Sequence, residues 1–325
     1  MIGFLSRRLL QSAFVLFAMT VLVFIGIFAI GNPVDVLIAP EATQADRQRI
    51  IQSLGLDRSL AEQYVGFVRG VIGGDFGKSF VFNISAIALI LDRLPATMEL
   101  AVTAMILAVL VGLPLGMLAG LYPDGLLGRS IMAGSILGFS MPTFWVGLIL
   151  IMVFAVRLGW LPSTGRGETI TVLGIKWSFL TRDGLAHLVL PALNLALFKI
   201  SLVIRLTRAG MRDALASDYV RYAIAKGLYP RRVVMVHALK NILIPLVTVL
   251  GLEFGSVIAF AIVTETIFAW PGTGKLIIES INSLDRPVIV AYLMVIVLMF
   301  VTINLLVDIT YSILDPRIRL GGAPS

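Results

Sequence analysis

Six stretches of this sequence are long, apolar and almost free of charge, and they limit the possible folds more than any other feature. Crossing roughly 30 Å of hydrocarbon takes about 20 helical residues. Backbone groups in lipid find no water to bond, so spanning runs of this length form helices. The six predicted spans are Leu9–Gly31, Leu100–Tyr122, Ser130–Val156, Gly184–Leu206, Asn241–Phe268 and Pro287–Val307. The sequence therefore predicts an all-α integral membrane protein with about six transmembrane helices.

Composition agrees with a membrane protein and argues against several other classes. Of the 325 residues, 58% are hydrophobic and 14% are charged, whereas soluble domains carry about a quarter charged residues. Cysteine is absent and histidine occurs twice, which gives a metal neither thiolates nor a histidine cage. The net charge of +7 is explained by basic cytoplasmic loops more simply than by nucleic acid. We predict no metal site, no catalytic residues and no nucleic-acid partner.

The distribution of lysine and arginine orients the predicted helices. Basic residues concentrate before the first span, after the last span and in the loop 208–240 between spans four and five. The positive-inside rule places these regions, and hence both termini, in the cytoplasm. Residues 32–95 then form a small extracytoplasmic cap between residues 1–31, which hold the first helix, and a core of residues 96–325. Trp160 and Trp270 would lie at outer helix ends as an aromatic belt.

The first apolar run also fits the start of a secreted protein, because a basic segment precedes it. Its apolar length exceeds the 7–15 residues typical of a signal peptide. We therefore expect this run to be kept as a transmembrane helix.

The cytoplasmic loop 208–240 has the pattern of a helix, a turn and a second helix. Its first half carries apolar residues at the three-to-four spacing of a helix, namely Met211, Leu215, Tyr219 and Tyr222. Gly227 and Pro230 then predict a break, since glycine ends helices well and proline starts them well. A second, basic helix is predicted from Arg231 to Asn241. The pattern alone fits contact with anionic lipid as well as docking of a protein.

Polar residues inside the predicted spans are further candidates, because charge in hydrocarbon is costly. Glu253, near the middle of span five, either faces the pore and meets a cationic group of the solute or is a buried carboxyl. The buried form, protonated or bonded to a partner subunit, is favoured. Glu265 would order the turn that follows span five. Asn304 and Asp308 are four residues apart and share one helix face, which suits helix packing and a pore equally.

Basic residues and prolines within the spans have structural interpretations. Lys199 and Arg205 are predicted to extend their charged ends toward a membrane surface. Kinks are predicted at the prolines, which are Pro114, Pro142, Pro191 and Pro245.

The residue order of the loop is more specific than its pattern. The stretch Asp218-Tyr219-Val220-Arg221-Tyr222-Ala223-Ile224-Ala225-Lys226-Gly227-Leu228, followed by His237 to Asn241, resembles the "EAA" loop of bacterial ABC importer permeases. The glutamate that gives the "EAA" motif its name is replaced here by Arg221, and the alanine next to it is replaced by Tyr222. Other matching motifs include Leu54-Gly55-Leu56-Asp57, Gly74-Asp75-Phe76-Gly77, Thr264-Glu265-Thr266-Ile267-Phe268 and Leu314-Asp315-Pro316-Arg317. Over nearly its whole length the chain resembles the B-type permeases of dipeptide, oligopeptide, glutathione and nickel importers.

The resemblance implies a non-catalytic permease subunit of the bacterial cytoplasmic membrane. Its partners would be a second homologous permease, two ABC ATPase subunits or one fused ATPase, an extracytoplasmic solute-binding protein and membrane lipid. ATP and magnesium would be bound by the ATPase subunits, so no cofactor is expected on this chain. The predicted ATPase-coupling residues are Asp218, Tyr219, Arg221, Tyr222, Ala223, Ala225, Lys226, Gly227 and His237.

Peptides are the solute that the resemblance favours. Nickel chelates, glutathione and opines are alternatives within the same class of importer. An ion-coupled secondary transporter is less favoured, because such proteins usually show internal repeats and a charged pathway at mid-membrane. Here the sequence has no evident repeat and places only Glu253 near the middle of a span.

Overall fold

The computed structural model describes residues 2–29, 43–53 and 56–314. Outside the described residues lie the end of the first predicted span (30–31), part of the predicted cap (32–42), the pair Leu54-Gly55 and the closing motif from Asp315 onward. The helices, in chain order, are α1 (Ile2–Ala29), α2 (Gln44–Ser53), α3 (Leu60–Gly73), α4 (Ala86–Leu121), α5 (Leu126–Ser140), α6 (Thr143–Leu150), α7 (Arg182–Ala216), α8 (Asp218–Ala225), α9 (Pro230–Arg232), α10 (Leu239–Ile267), α11 (Thr273–Asn282) and α12 (Arg286–Leu314). Two π-helical stretches, Ile151–Arg157 and Val233–Ala238, continue α6 and α9.

Five of the described helices are long and apolar enough to cross a membrane, namely α1, α4, α7, α10 and α12. The helix α5 and the segment Thr143–Arg157, which contains α6, are together apolar enough for a sixth span, and they meet at an angle of 103°. The break falls at Pro142, whose ring fixes φ and whose nitrogen cannot donate a hydrogen bond. The prediction of about six spans is therefore confirmed when the third is counted as a broken span.

A short β-hairpin is the one departure from the predicted all-α fold within the described residues. Strands β1 (Ile170–Val172) and β2 (Ile175–Trp177) pair antiparallel. The turn residues Leu173 and Gly174 both have positive φ, +53° and +78°, as a two-residue type I′ turn requires. Leucine is an uncommon residue at such a position, so the residue pattern did not predict the hairpin.

The described chain divides into two compact units, of which the first comprises residues 1–95 and 272–302. Within it, the Phe24 ring of α1 packs against Tyr64 and Phe67 of α3, with ring centroids 5.2 and 5.9 Å apart. A capping box begins α3, and side-chain and backbone hydrogen bonds from Ser59 lower the pKa of Glu62.

A buried carboxylate fixes the turn that precedes α4 in the first unit. Asp285 is fully buried and accepts hydrogen bonds from the Ser79 hydroxyl and, at 3.1 Å, from the Phe80 backbone N–H. The nearby sequence Asp75-Phe76-Gly77 forms a turn in which the Gly77 N–H donates to Asp75 Oδ1 at 2.9 Å. A long-range contact with Asp285 and a local turn therefore both shape the segment between α3 and α4.

The second unit, residues 96–271 and 303–325, has α7 at its centre. In the apolar window of α7, 67% of residues are buried, against 11% for α1. One face of α4 meets α7 through glycines spaced four apart, Gly112, Gly116 and Gly120. Small residues at this spacing allow two helix backbones to approach closely in a membrane.

Enlarging Gly116 by one methyl group should destabilise the protein. A Cβ at this position would lie 2.6 Å from Thr207 Cβ and 2.8 Å from the Ile204 carbonyl oxygen. Overpacking of this kind costs about 1–3 kcal/mol, so Gly116→Ala should lower the melting temperature in detergent by roughly 5 °C. Gly134→Ala is the matched control, since its Cβ would have nothing within 4 Å. Equal melting temperatures for the two variants would contradict the close α4–α7 packing.

Candidate coupling loop and intramembrane polar site

The loop between α7 and α10 begins later than its apolar spacing predicted. The helix of the fourth span continues to Ala216, so Met211 and Leu215 belong to α7 and not to a separate loop helix. Ser217, with φ −74° and ψ 153°, leaves the helical conformation and starts α8. The predicted loop helix is therefore the eight residues of α8 alone.

A left-handed turn follows α8, as the sequence predicted. Gly227 has φ +77°, which costs a residue with a side chain about 1–2 kcal/mol. Its N–H donates to the Ile224 carbonyl at 2.9 Å, and the Leu228 N–H donates to Ala223 at 3.3 Å. A Cβ at Gly227 would meet nothing within 4 Å. Within the described chain, glycine is therefore favoured here by backbone conformation and not by lack of space.

The inner face of α8 is fixed by a small apolar core. Val220 and Ala223 pack with Val233, and Leu215 and Leu228 border the cluster. Val233 begins the π-helical stretch that leads into α10. Ala223, predicted among the coupling residues, is 5% exposed, so its side chain contributes to this core and not to the outer surface.

The outer face of α8 and the turn after it are exposed, and they carry most of the predicted coupling residues. These are Asp218, Tyr219, Arg221, Tyr222, Ala225, Lys226 and Gly227. Arg221 Nη1 lies 3.7 Å from Asp218 Oδ1, and Lys226 Nζ lies 4.6 Å from the centre of the Tyr222 ring. The surface therefore combines aromatic rings with basic groups in ordered positions.

The second helix of the loop starts at Pro230, in agreement with the preference of proline for a first helical position. It is not a regular α-helix up to Asn241, because residues Val233–Ala238 are π-helical. His237 lies in this stretch and is half-buried. It is therefore placed on a different element from the other predicted coupling residues.

An ion pair between a buried lysine and a half-buried glutamate joins the middles of α7 and α10. Lys199 Nζ lies 2.5 Å from Glu253 Oε2 and donates to Ser256 Oγ at 2.8 Å. The prediction that Lys199 reaches a membrane surface is wrong, because the residue is 4% exposed. Glu253 is bonded within its own chain, whereas the favoured prediction had a protonated carboxyl or a bond to a partner subunit.

Arg205, the other basic residue predicted to reach a membrane surface, stacks instead on an aromatic ring. Its guanidinium carbon lies 4.3 Å from the centre of the Phe139 ring. Arg205 Nε is buried without a hydrogen-bond partner in the described part of the chain. The side chain therefore packs between α7 and α5.

A second buried ion pair holds the loop that contains the hairpin. Arg166 Nη2 donates to Glu99 Oε2 at 2.7 Å, and the side chains of Arg166 and Glu99 are only 10% and 1% exposed. Glu99 Oε1 accepts from the backbone N–H groups of Ser178 and Phe179, both at 2.8 Å. The pair fastens the connection between α6 and α7 to the start of the second span.

Glu265 was predicted to order the turn after the fifth span; its side chain bonds instead to the helix of the second span, and its backbone contacts the turn. It is fully buried and accepts from Thr97 Oγ1 at 2.6 Å, while its backbone carbonyl accepts from the Trp270 N–H at 2.8 Å. Trp270 is also fully buried and donates from Nε1 to the Ala96 carbonyl at 2.9 Å. The aromatic-belt prediction is therefore wrong for Trp270, whereas Trp160 is exposed.

The remaining two predicted polar residues lie on α12. Asn304 and Asp308 are both half-buried, and Asn304 Oδ1 is buried without a hydrogen-bond partner in the described part of the chain. Among the residues that the structure describes, no group of three or more histidine or acidic side chains could hold a metal ion.

These features define a multi-pass membrane permease with a broken third span and an exposed basic loop. Residues 112–320 match the family of binding-protein-dependent transport system inner membrane components, and residues 1–101 match the N-terminal region of such components. The chain belongs to this family, and it is a multi-pass protein of the cytoplasmic membrane.

Relatives with full-length similarity are transport permeases. The chain is 39% identical to the di/tripeptide permease DppB of Pseudomonas aeruginosa, over 98% of this chain and 99% of the relative. It is 39% identical to the oligopeptide permease AppB of Bacillus subtilis, over 98% and 100%. It is 36% identical to the glutathione permease GsiC of Escherichia coli K12, over 98% and 99%.

The fold is also found in a solved transporter structure. A chain of the MetNI methionine ABC transporter, in inward-facing conformations, aligns with a TM-score of 0.54 at 15% identity. The alignment covers 70% of the present chain and 96% of that chain. This similarity shows a shared fold.

Removing the charge of Glu99 should destabilise the protein much more than the same change at an exposed glutamate. Breaking a buried ion pair costs about 3–5 kcal/mol, because the remaining charge loses its partner. Glu99→Gln should therefore lower the melting temperature in detergent by on the order of 10 °C. In Glu279→Gln, which disrupts the half-exposed Lys275–Glu279 pair, the change should be within about 1 kcal/mol. A Glu99→Gln variant as stable as Glu279→Gln would disprove the buried pair.

Proposed function

We propose that this chain is the transmembrane permease subunit of an ATP-driven importer and forms half of a pore for peptides. The observation that carries this proposal is similarity over the full length to permeases of peptide transport systems. The alignments cover 98% of this chain and 99–100% of the relatives named for di/tripeptide and oligopeptide transport. The whole chain, and not only one segment of it, is therefore similar to peptide permeases.

The proposal includes partners that supply energy and solute. The family's description as binding-protein-dependent supports an extracytoplasmic binding protein that delivers peptides. A second homologous permease would complete the pore. ATP and magnesium would be bound by two ABC ATPase subunits or one fused ATPase, so this chain would itself be non-catalytic. In this arrangement residues 32–95 form the extracytoplasmic cap and residues 96–325 the transporting core.

The exposed face of α8 is the proposed docking surface for an ATPase subunit. Its aromatic and basic side chains, around Tyr222 and Lys226, project away from the chain. Its buried face contacts Val233, which lies on the helical segment that continues into α10. Because this contact is tightly packed, a displacement of α8 by an ATPase would be transmitted to α10.

Glutathione is the second candidate solute. One relative, 36% identical over 98% of this chain, is named as a glutathione permease. Glutathione is itself a tripeptide, so one pore of suitable size and polarity would accommodate either solute.

Uptake by cells that lack this chain tests the proposal. The deletion strain should lose uptake of labelled di- and tripeptides, and the gene supplied in trans should restore it. Labelled glutathione and nickel chelates are measured in parallel. Loss of glutathione uptake with unchanged peptide uptake would favour the second candidate. Peptide uptake that persists after ATP depletion but collapses with the ion gradient would contradict an ATP-driven importer.

Gly227→Asp should leave the subunit in the membrane but reduce peptide uptake by at least about tenfold. The substitution places a side chain on a left-handed residue and adds a negative charge beside Lys226 at the proposed docking surface. Gly227→Asn is the matched control, because asparagine has the same size as aspartate and tolerates left-handed geometry equally well, but it carries no charge. It should retain more uptake than Gly227→Asp. Immunoblots of membranes measure the amount of each variant. Full uptake by Gly227→Asp would contradict the assignment of this loop to ATPase coupling.

A further inference from the structure

The Lys199–Glu253 pair lies at the middle of the bundle formed by α7 and α10. These helices run antiparallel, with Asn194 bonded to Thr264 at 3.0 Å toward one end. Toward the other end, a Cβ on Gly210 would lie 3.2 Å from the Ile242 side chain. The ion pair falls between these two contacts. It is therefore placed at a depth where a charge is expensive unless it is paired or meets water.

The two members of the pair differ in their exposure. The Lys199 side chain is 6% exposed, whereas the Glu253 side chain is 32% exposed. Lys199 and Ser256 both contact Oε2 of the carboxylate, and no group of the described chain bonds to Oε1. The lysine charge is therefore satisfied inside the chain, while one carboxylate oxygen faces outward.

The outward oxygen requires a polar environment. A carboxylate in contact with lipid tails is strongly disfavoured, and intramembrane charges nearly always face a bundle interior or a water-filled cavity. Glu253 borders the exposed stripe of α10, which contains Leu252, Ala259, Phe260 and Val263. The stripe itself is apolar, and the Glu253 carboxylate at its border is what favours the pore side of the subunit over lipid.

The broken third span lies at the same depth. A Cβ on Gly138 of α5 would lie 3.1 Å from Ser201, and a Cβ on Gly147 of α6 would lie 3.4 Å from Asn194. The break at Pro142 therefore faces α7 between these two levels, which is where the lysine of the ion pair stands. Discontinuous helices border the solute sites of many transporters near the membrane midplane.

We propose that Glu253 Oε1 is a transient acceptor for the α-ammonium group of a peptide that crosses the pore. This inference rests on the proposed peptide-import function. Every peptide with a free N-terminus carries this ammonium group whatever its side chains, so one carboxylate serves many sequences. Lys199 offsets most of the carboxylate charge, which keeps the interaction weak. A weak site suits transport, because a bound solute has to leave again.

Thiol chemistry tests whether Glu253 faces water. The chain has no cysteine, so a single introduced cysteine reports its own surroundings. In the assembled transporter, Leu252→Cys places a thiol next to Glu253. The control is Phe14→Cys, which is 71% exposed on the poorly buried α1 and has no charged residue of α1 beside it in sequence, so we expect it to face lipid. Both are treated, with and without a non-hydrolysable ATP analogue, with methanethiosulfonates that carry a trimethylammonium or a sulfonate group.

The cationic reagent should modify Leu252→Cys about twice as fast as the anionic one, because the carboxylate is half-exposed while the Lys199 charge that offsets most of it is buried. Phe14→Cys should react with neither. Adding Glu253→Gln leaves the Lys199 charge without its counter-charge and should reduce the rate ratio to one or below. Lys199→Met with Glu253→Gln removes both charges and should give a ratio of about one. A Leu252→Cys as unreactive as Phe14→Cys, or a ratio that neither background alters, would overturn the proposal.

Protection by peptides tests the ammonium group itself. Trialanine at about 10 mM, a concentration suited to a millimolar site, should slow modification of Leu252→Cys about threefold, and N-acetyl-trialanine should protect clearly less. Equal protection by both, or protection by neither, would overturn recognition of the ammonium group. The thiol assay does not depend on uptake. If the proposed function is wrong, peptide uptake will be unchanged in the deletion strain. That outcome is distinguishable from any result of the thiol assay at Leu252.

Discussion

A chain that crosses hydrocarbon has to satisfy its polar groups from within, and most features of this structure follow from that constraint. The backbone does so by forming long helices. The side chains do so in pairs, with Lys199 on Glu253 inside the bundle and Arg166 on Glu99 near a helix end. Even Trp270 turns its indole N–H inward to a backbone carbonyl. Each pairing also connects segments that are distant in sequence. The contacts that satisfy these polar groups are therefore also the contacts that hold the tertiary structure together.

Helices α7 and α10 take part in both parts of the proposed function, the coupling to an ATPase and the passage of solute. The exposed loop that we assign to the ATPase connects these two helices along the chain, and the Lys199–Glu253 pair links their middles. A movement applied at α8 therefore acts on a helix pair that is already joined inside the membrane. The packing of Val220 and Ala223 on Val233 makes that connection stiff, as a mechanical link between ATP hydrolysis and a pore requires.

The sequence best predicted those features that depend on residues close together along the chain. Uncharged runs predicted the membrane helices, and Gly227 predicted a left-handed turn that the structure contains. It was least informative about contacts between residues that are far apart in the sequence. Lys199 and Glu253 are separated by 54 residues, and no periodicity on either helix shows that they meet. Met211 and Leu215 fitted a loop helix by spacing, but the same spacing continues unbroken from α7.

Other differences have similar causes. The absence of charge does not distinguish a straight span from one bent by 103°. Only Pro142 indicates where the bend falls. Ala223 appeared as one residue of a motif, whereas in three dimensions it lies on the buried face of an eight-residue helix. A motif identifies the residues of a surface together with those that support it, and only the structure separates the two.

Purification of the tagged chain from its native membrane in mild detergent tests the central claim most directly. Every co-purifying protein is identified, and ATP hydrolysis is measured with and without the binding protein and peptide. The account predicts a second permease and ABC ATPase subunits, with hydrolysis stimulated by the loaded binding protein. A chain that purifies alone, shows no associated ATPase and supports transport driven by an ion gradient would contradict it.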